Sequence, residues 1–231
     1  AAHEMTHGIV ERTVSLEYKF QSGALNESFA DIFGAMVDRD DWQMGENVVN
    51  IQYYPSGALR DLSDPNQGGT TYTDPGWQPA HWDEFLNWDI TYDNGGVHYN
   101  SGIPNKACYL IAEAIDREKT EQIYYRILEA EYLNSQATFI DMRLAAILAV
   151  TEFVDEDILG FVNSDITAVT NAFDAVGIVG DVGSEAPEDS DPVQGEDWIV
   201  AINDENGDHS LVLVDPETGE KSVLTNTQVS T

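Results

Sequence analysis

The sequence predicts a mainly α-helical domain over residues 1–178, then an acidic linker over 179–197 and a short β-rich segment over 198–231. Three observations predict it. Apolar residues recur at helical spacing through much of the first 178 positions. Composition breaks near Gly180, where residues 180–197 (GDVGSEAPEDSDPVQGED) hold seven acids, two prolines and no base. Beyond the break come short β-like runs separated by turn residues.

Taken in order, the first helix starts at or before Ala1 and runs to Glu11, with no N-cap residue ahead of it. The second is expected over Leu25 to Val37, with Phe29, Ile32, Phe33 and Met36 on one face. Residues 40–97 read as loops, punctuated by Pro55, Pro65, Pro75, Pro79 and by Asn-Gly and Gly-Gly turns. Helical patterning returns over residues 102–119, 121–132, 137–153 and 165–176. The run Met142, Leu144, Ala145, Ala146, Ile147, Leu148, Ala149 is apolar nearly all round, so its helix is expected at the centre of the domain. Strands are expected at Trp198 to Ile202, His209 to Val214 and Lys221 to Leu224, joined by turns at residues 205–208 and 215–220. Three such strands resemble one blade of a propeller-like repeat, which cannot bury its faces alone. The segment is therefore expected to begin an accessory domain, and the uncapped first helix reads as one entered part-way.

Composition excludes several functions. With 42 acidic residues against 10 basic ones, the net charge is -32. A polyanion repels phosphate backbones, which argues against nucleic acid as a partner. The acidity has two readings: a highly solvated surface, or adaptation to high salt, where screening removes self-repulsion. No stretch approaches the roughly 18 uninterrupted apolar residues of a membrane span. The single cysteine, Cys108, rules out a disulfide within the segment and reads as a small buried hydrophobe in the run Ala107 to Ala112. His81 and His209 fit no motif and read as ordinary surface residues.

His3-Glu4-Met5-Thr6-His7 has the form H-E-x-x-H. Positions i and i+4 share a helix face, so both imidazoles can reach one metal ion. Two neutral imidazoles suit zinc, and the intervening carboxylate can sit beside a water on that metal. Taken alone, the pattern also describes two surface histidines flanking a helical glutamate. Twenty residues after His7 comes Glu27, with Asp31 one turn further on, among apolar neighbours. Burying two such carboxylates is costly unless something pairs them. Zinc would pair Glu27, and a histidine N–H would pair Asp31. The plain alternative is two solvated helix acids. A third element, Asp93 to Lys106, brings glycines that allow close backbone approach and places His98 just before a helix.

HEMTHG (3–8), GALNESFADIFG (23–34), DNGGVHYNSGIPNKA (93–107) and AFDAVGI (172–178) together resemble, in order and spacing, the helical C-terminal catalytic lobe of thermolysin-like zinc metallopeptidases. The similarity runs nearly continuously over residues 1–178. It implies an extracellular, secreted zinc endopeptidase acting on protein or peptide substrates. His3, His7 and Glu27 would be the zinc ligands, with Asp31 and Asn26 supporting them from behind. Glu4 would be the general base toward a zinc-activated water, later passing the proton to the leaving amine. His98 and Tyr18 would donate to the developing oxyanion, with Asp93 orienting His98. Arg60 would hold a substrate carbonyl. With Leu59 it would line the pocket after the scissile bond, which implies a preference for a bulky apolar residue there. Tyr18 as a packed aromatic and Arg60 as a structural ion pair are the plain alternatives.

Asp38, Asp41 and Glu46 fall where relatives place a double calcium site, although Gln43 stands where a carboxylate is common. A solvated acidic loop is the other reading. In the family the cleft lies between two lobes. The N-terminal lobe of the same enzyme is an expected partner, and its sequence is missing here. The competing reading of the whole is a non-catalytic, metal-dependent binding or adhesion module that keeps a peptidase lobe as scaffold. Loss of Glu4 or His98 would have favoured that reading, and both are present.

Overall fold

Periodic apolar stretches fold into seven α-helices among the residues that the computed structural model describes, which are 1–180, 199–203, 210–214 and 221–223. They are α1 (Ala2–Arg12), α2 (Phe20–Val37), α3 (Asp93–Asn100), α4 (Gly102–Ile115), α5 (Arg117–Glu129), α6 (Phe139–Asp155) and α7 (Asn163–Ala175). Two residue pairs, β1 (Gln43–Met44) and β2 (Arg60–Asp61), form a small antiparallel ladder between α2 and α3, with Met44 opposite Arg60. Short 3-10 turns at Pro65–Gly68 and Trp82–Glu84 punctuate the same stretch.

The central helix is α2, which packs against α1, α3, α4, α5 and α6. The sequence points instead to the helix at 137–153. That helix, α6, caps its start with Thr138 and Asp141 and buries Phe139, Met142, Ala146 and Val150, but leaves Leu148 46% exposed. Small residues decide the difference: α2 carries Gly23, Ala24, Ala30, Gly34 and Ala35, so neighbours approach it on every side. A Cβ at Gly23 would sit 2.5 Å from Val97 Cγ1 and 2.9 Å from the Tyr18 carbonyl carbon. Gly23 is thus a packing glycine, and α2 runs through it from Phe20 rather than starting at Leu25. The Ser22 hydroxyl donates back to the carbonyls of Glu17 (2.8 Å) and Lys19 (2.9 Å) in its first turn.

Two other boundaries differ from expectation. The helix expected over 102–119 stops at Ile115, because Asp116 takes φ +96° and its carboxylate caps α5 by accepting from the Lys119 N–H at 2.7 Å. His98 lies inside a short helix rather than just before one. Asn94, Gly95 and Gly96 all have positive φ, and a Cβ at Gly95 would meet the Phe20 ring at 2.3 Å. His81 is more than a surface residue: it accepts from the Asp83 N–H at 3.1 Å, and its ring leaves no room for a Cβ at Gly177. Cys108 is fully buried, and burial pushes its thiol up to about 12.

The chain divides into two compact units, Ala1–Ser184 and Glu185–Thr231. In the second, β3 (Ile199–Asn203), β4 (Ser210–Val214) and β5 (Lys221–Val223) form an antiparallel sheet in that order, with Ile199 opposite Val214 and Val212 opposite Val223. The predicted linker from residue 181 onward, both predicted turns, and Trp198, His209 and Leu224 lie outside the described residues.

Candidate active site

Packing of α1 on α2 brings His3 and His7, one turn apart, onto Glu27. The two Nε2 atoms lie 3.1 Å apart, His3 Nε2 is 3.6 Å from Glu27 Oε2, and His7 Nε2 is 3.5 Å from Glu27 Oε1. Among the described residues this is the one group of His, Cys, Asp or Glu side chains whose ligand atoms gather within 4.8 Å.

The outward-facing nitrogens decide what the group can hold. His3 Nδ1 lies 2.9 Å from Asp31 Oδ1, and His7 Nδ1 lies 2.8 Å from Asn26 Oδ1. The Asn26 amide nitrogen donates to the Leu16 carbonyl at 3.4 Å, which fixes the end of the amide that faces His7. Each Nδ1 thus lies beside an oxygen that suits a ring N–H, an arrangement that favours the tautomer with Nε2 free. Both Nε2 lone pairs are then left pointing at each other beside a carboxylate. Lone pairs and an anion so close repel unless a cation lies among them, and two imidazoles with one carboxylate suit zinc.

Behind the triad, Asp31 is fully buried. Arg60 reaches it from β2 with Nε (2.8 Å) and Nη2 (2.7 Å), and the Asn105 amide donates to it at 3.0 Å. Burial alone would raise the Asp31 carboxyl, but the Arg60 guanidinium and His3 overcome it and hold the group well below the usual carboxylate range. Arg60 is raised in turn, because its ion pair outweighs its own burial.

On the other side of Glu27, the Tyr18 hydroxyl donates to Glu27 Oε1 and lies 3.1 Å from His98 Nε2. Asp93 accepts from the His98 backbone N–H at 2.8 Å and holds His98 Nδ1 at 2.5 Å. The Asp93 bond raises the His98 pKa, burial opposes it, and the Glu27 charge adds to the rise. Burial and the Glu27 carboxylate push the Tyr18 phenol up, so it keeps its proton at neutral pH. His3, Glu4, His7, Tyr18, Glu27 and His98 all border one cavity of about 540 Å³, into which Glu4 is exposed.

Leu59 and Arg60 border a second cavity of about 330 Å³, and His98 lines both. Asp38, Asp41 and Glu46, expected to bind calcium, do not bring their carboxylate oxygens within 4.8 Å of one another. Asp41 turns back to accept from the Gln43 N–H at 2.8 Å, and Glu46 accepts from Asn47, while Asp38 and Glu46 border a separate cavity of about 280 Å³. A fixed cation serves that loop: the Arg117 guanidinium donates to the carbonyls of Ala35 (2.6 Å) and Asp41 (2.9 Å) and stacks over Trp42.

Two contributors escape sequence reasoning. Asn105 secures Asp31 from 74 positions away, and buried Gln78 donates to the His98 carbonyl at 2.6 Å. Asn105 stands within the 93–107 motif, a signal that marks the stretch but not the partner; Gln78 carries none.

Residues 14–178 match a family model described as thermolysin metallopeptidase, alpha-helical domain. Bacillolysin of Brevibacillus brevis is 46% identical over 190 residues, covering 77% of this chain and 32% of that protein. Extracellular elastase of Staphylococcus epidermidis is 42% identical over 180 residues, covering 77% of this chain and 31% of its own length. Among solved structures, the precursor of protealysin, a metalloproteinase from Serratia proteamaculans, matches with a TM-score of 0.65 at 34% identity, over 77% of this chain and 56% of that one. The chain thus spans about a third of the length of these two sequence relatives.

Proposed function

The chain belongs to the thermolysin metallopeptidase family, and from that premise we propose that it carries the catalytic groups of a secreted zinc endopeptidase. The observation that carries the reading is the gathering of His3 Nε2, His7 Nε2 and the Glu27 carboxylate within 4.8 Å of one another, in a cavity that Glu4, Tyr18 and His98 also border. His3, His7 and Glu27 would hold the zinc, which when bound polarises the scissile carbonyl and lowers the pKa of a water.

The remaining work falls to side chains of this protein. Glu4, one residue from His3 on α1, takes the proton of the attacking water and then delivers it to the leaving amine. As the carbonyl oxygen gains charge, His98 Nε2–H and the Tyr18 hydroxyl turn to it as donors. Asp93 accepts the Nδ1 proton and favours the charged imidazolium, whose second proton on Nε2 faces the site, so little reorganisation is needed at the moment of reaction. Arg60 spends Nε and Nη2 on Asp31, and among the described residues its Nη1 has no hydrogen-bond partner. Nη1 is the group that holds a substrate carbonyl, and Leu59 beside it favours a bulky apolar residue just after the scissile bond. Secretion accords with a relative named as an extracellular elastase. No described helix is long and apolar enough to cross a membrane.

The test is metal analysis and peptide hydrolysis with the full-length protein. Wild type is expected to hold one zinc and cleave. Glu4→Gln should keep the zinc and lose a factor of about 10²–10⁴ in rate, since an amide cannot accept the proton. Zinc retained after His3 and His7 are both replaced by Ala, or hydrolysis undiminished in Glu4→Gln, would overturn the reading.

A further inference from the structure

We propose that Gln78 is a positioning residue for His98, an inference that rests on the peptidase reading above. Its side chain fixes where the His98 ring stands by holding the His98 backbone. His98 needs such a reference because the turn that carries it is short. Asn94, Gly95 and Gly96 precede it with left-handed φ of +50°, +87° and +84°, so regular helix begins only at Val97. Asp93 grips the His98 N–H and Nδ1, but both residues belong to the same short segment. A contact inside one segment sets its shape, not its distance from Glu27 and Tyr18.

Gln78 supplies the reference from 20 positions away. Its Nε2 donates one hydrogen to the His98 carbonyl at 2.6 Å and the other to Ser101 Oγ at 3.1 Å. A carbonyl only accepts, so the nitrogen end of the amide has to face it. The Ser101 hydroxyl donates to the same carbonyl at 3.3 Å, which closes the network around the His98 peptide. Gln78 is 3% exposed and Ser101 is fully buried, so water competes little for these bonds.

Gln78 is itself anchored. Its N–H donates to the Pro65 carbonyl at 2.7 Å, and its own carbonyl accepts from the Asn66 amide at 2.8 Å. Gly102 lets it lie against the start of α4: a Cβ there would meet the Pro79 carbonyl oxygen at 2.5 Å and Gln78 Cβ at 2.7 Å. Asn100, at the end of α3, is tied to a different loop through the Leu86 N–H (2.9 Å) and carbonyl (3.0 Å). Asn100 secures the helix, while Gln78 bonds to His98 itself. Packing does not explain the Gln78 amide. Its Oε1 is buried with no hydrogen-bond partner among the described residues, and an unpaired buried oxygen costs stability that a methionine of similar length would not. What glutamine adds is the donor at the His98 carbonyl.

Gln78→Met keeps the length and removes that donor. In the full-length zinc-loaded protein it should keep its zinc, hold KM within about twofold and lower kcat about tenfold, since a small misplacement of a catalytic group is felt in the transition state. In a His98→Ala background the same substitution should lower the residual kcat no further, because the two residues act as one unit. Ser101→Ala, a smaller change, should lower kcat about threefold, again only when His98 is present. Should Gln78→Met not fold, Ser101→Ala decides by the same criteria. A loss equal in both backgrounds, a change in KM alone, or an unchanged kcat would overturn the assignment. Imidazole NMR reads the same point without turnover. The His98 ring resonances, identified by their absence from His98→Ala, should move in Gln78→Met and Ser101→Ala, while those of His81 stay. His98 resonances that do not move would overturn the positioning role even in an inactive protein. If they move but wild type cleaves no peptide, the peptidase reading falls and the placement of His98 by Gln78 stands.

Discussion

The α1–α2 face holds its polar groups by helical spacing, whereas residues 38–92 hold theirs by one turn at a time. On the helices, His3 and His7, and Glu27 and Asp31, are each one turn apart, and burial forces every one of them to find a partner. In the loops, Asp61 accepts from the N–H groups of Ser63 and Asp64, Asp74 does the same for Thr70 and Thr71, and Gly76 supplies a backbone angle that other residues resist. The contrast teaches where each kind of function resides. The proposed zinc site rests on packed helices, while the loops around it can change without disturbing the helical core.

The largest test of this contrast is Asp31→Asn. It leaves the Arg60 guanidinium buried without its counter-charge, and breaking such a pair is expected to cost about 3–5 kcal/mol. Denaturant melts of the metal-free protein measure it. The sign with pH follows from the depressed Asp31 pKa. The stabilisation is complete above the unfolded carboxylate value of about 3.9 and fades as pH falls through the lower folded value. The gap between wild type and variant should therefore be constant near neutrality and close only in strong acid. A gap that closes between pH 8 and 6 would place the stabilisation elsewhere.

Gly76→Ala probes the loop side and should be milder. A left-handed φ costs an L-residue about 1–2 kcal/mol, and the new methyl also presses on Ser56. Zinc content should stay at the wild-type value, while the melting temperature falls modestly. Loss of zinc in this variant would mean that the two regions are not separable.

Salt should have the gentlest effect, and it sharpens the same comparison. The net charge is -32, and most acids among the described residues are exposed, so added salt should raise the melting temperature of wild type by screening their repulsion. The deficit of Asp31→Asn should hardly change, because a buried pair is poorly screened. Melts that stay flat across low to molar ionic strength would count against salt adaptation. Full recovery by a trace of calcium would point to specific ion binding instead.

What the sequence alone determined is what repeats along the chain. A period of 3.6 residues placed the helices, put His3 and His7 on one face, and paired Glu27 with Asp31 one turn apart, because helix geometry is local and follows from spacing. Tertiary structure decided which helix is central, choosing α2 over α6 through small residues whose effect appears only when neighbours press against them. It also chose the partners: Arg60 for Asp31 across 29 positions, Asn105 for the same carboxylate across 74, and Gln78 for the carbonyl of His98. No period links those positions. They meet because buried polar groups must be satisfied, and only the folded chain determines which donor is within reach.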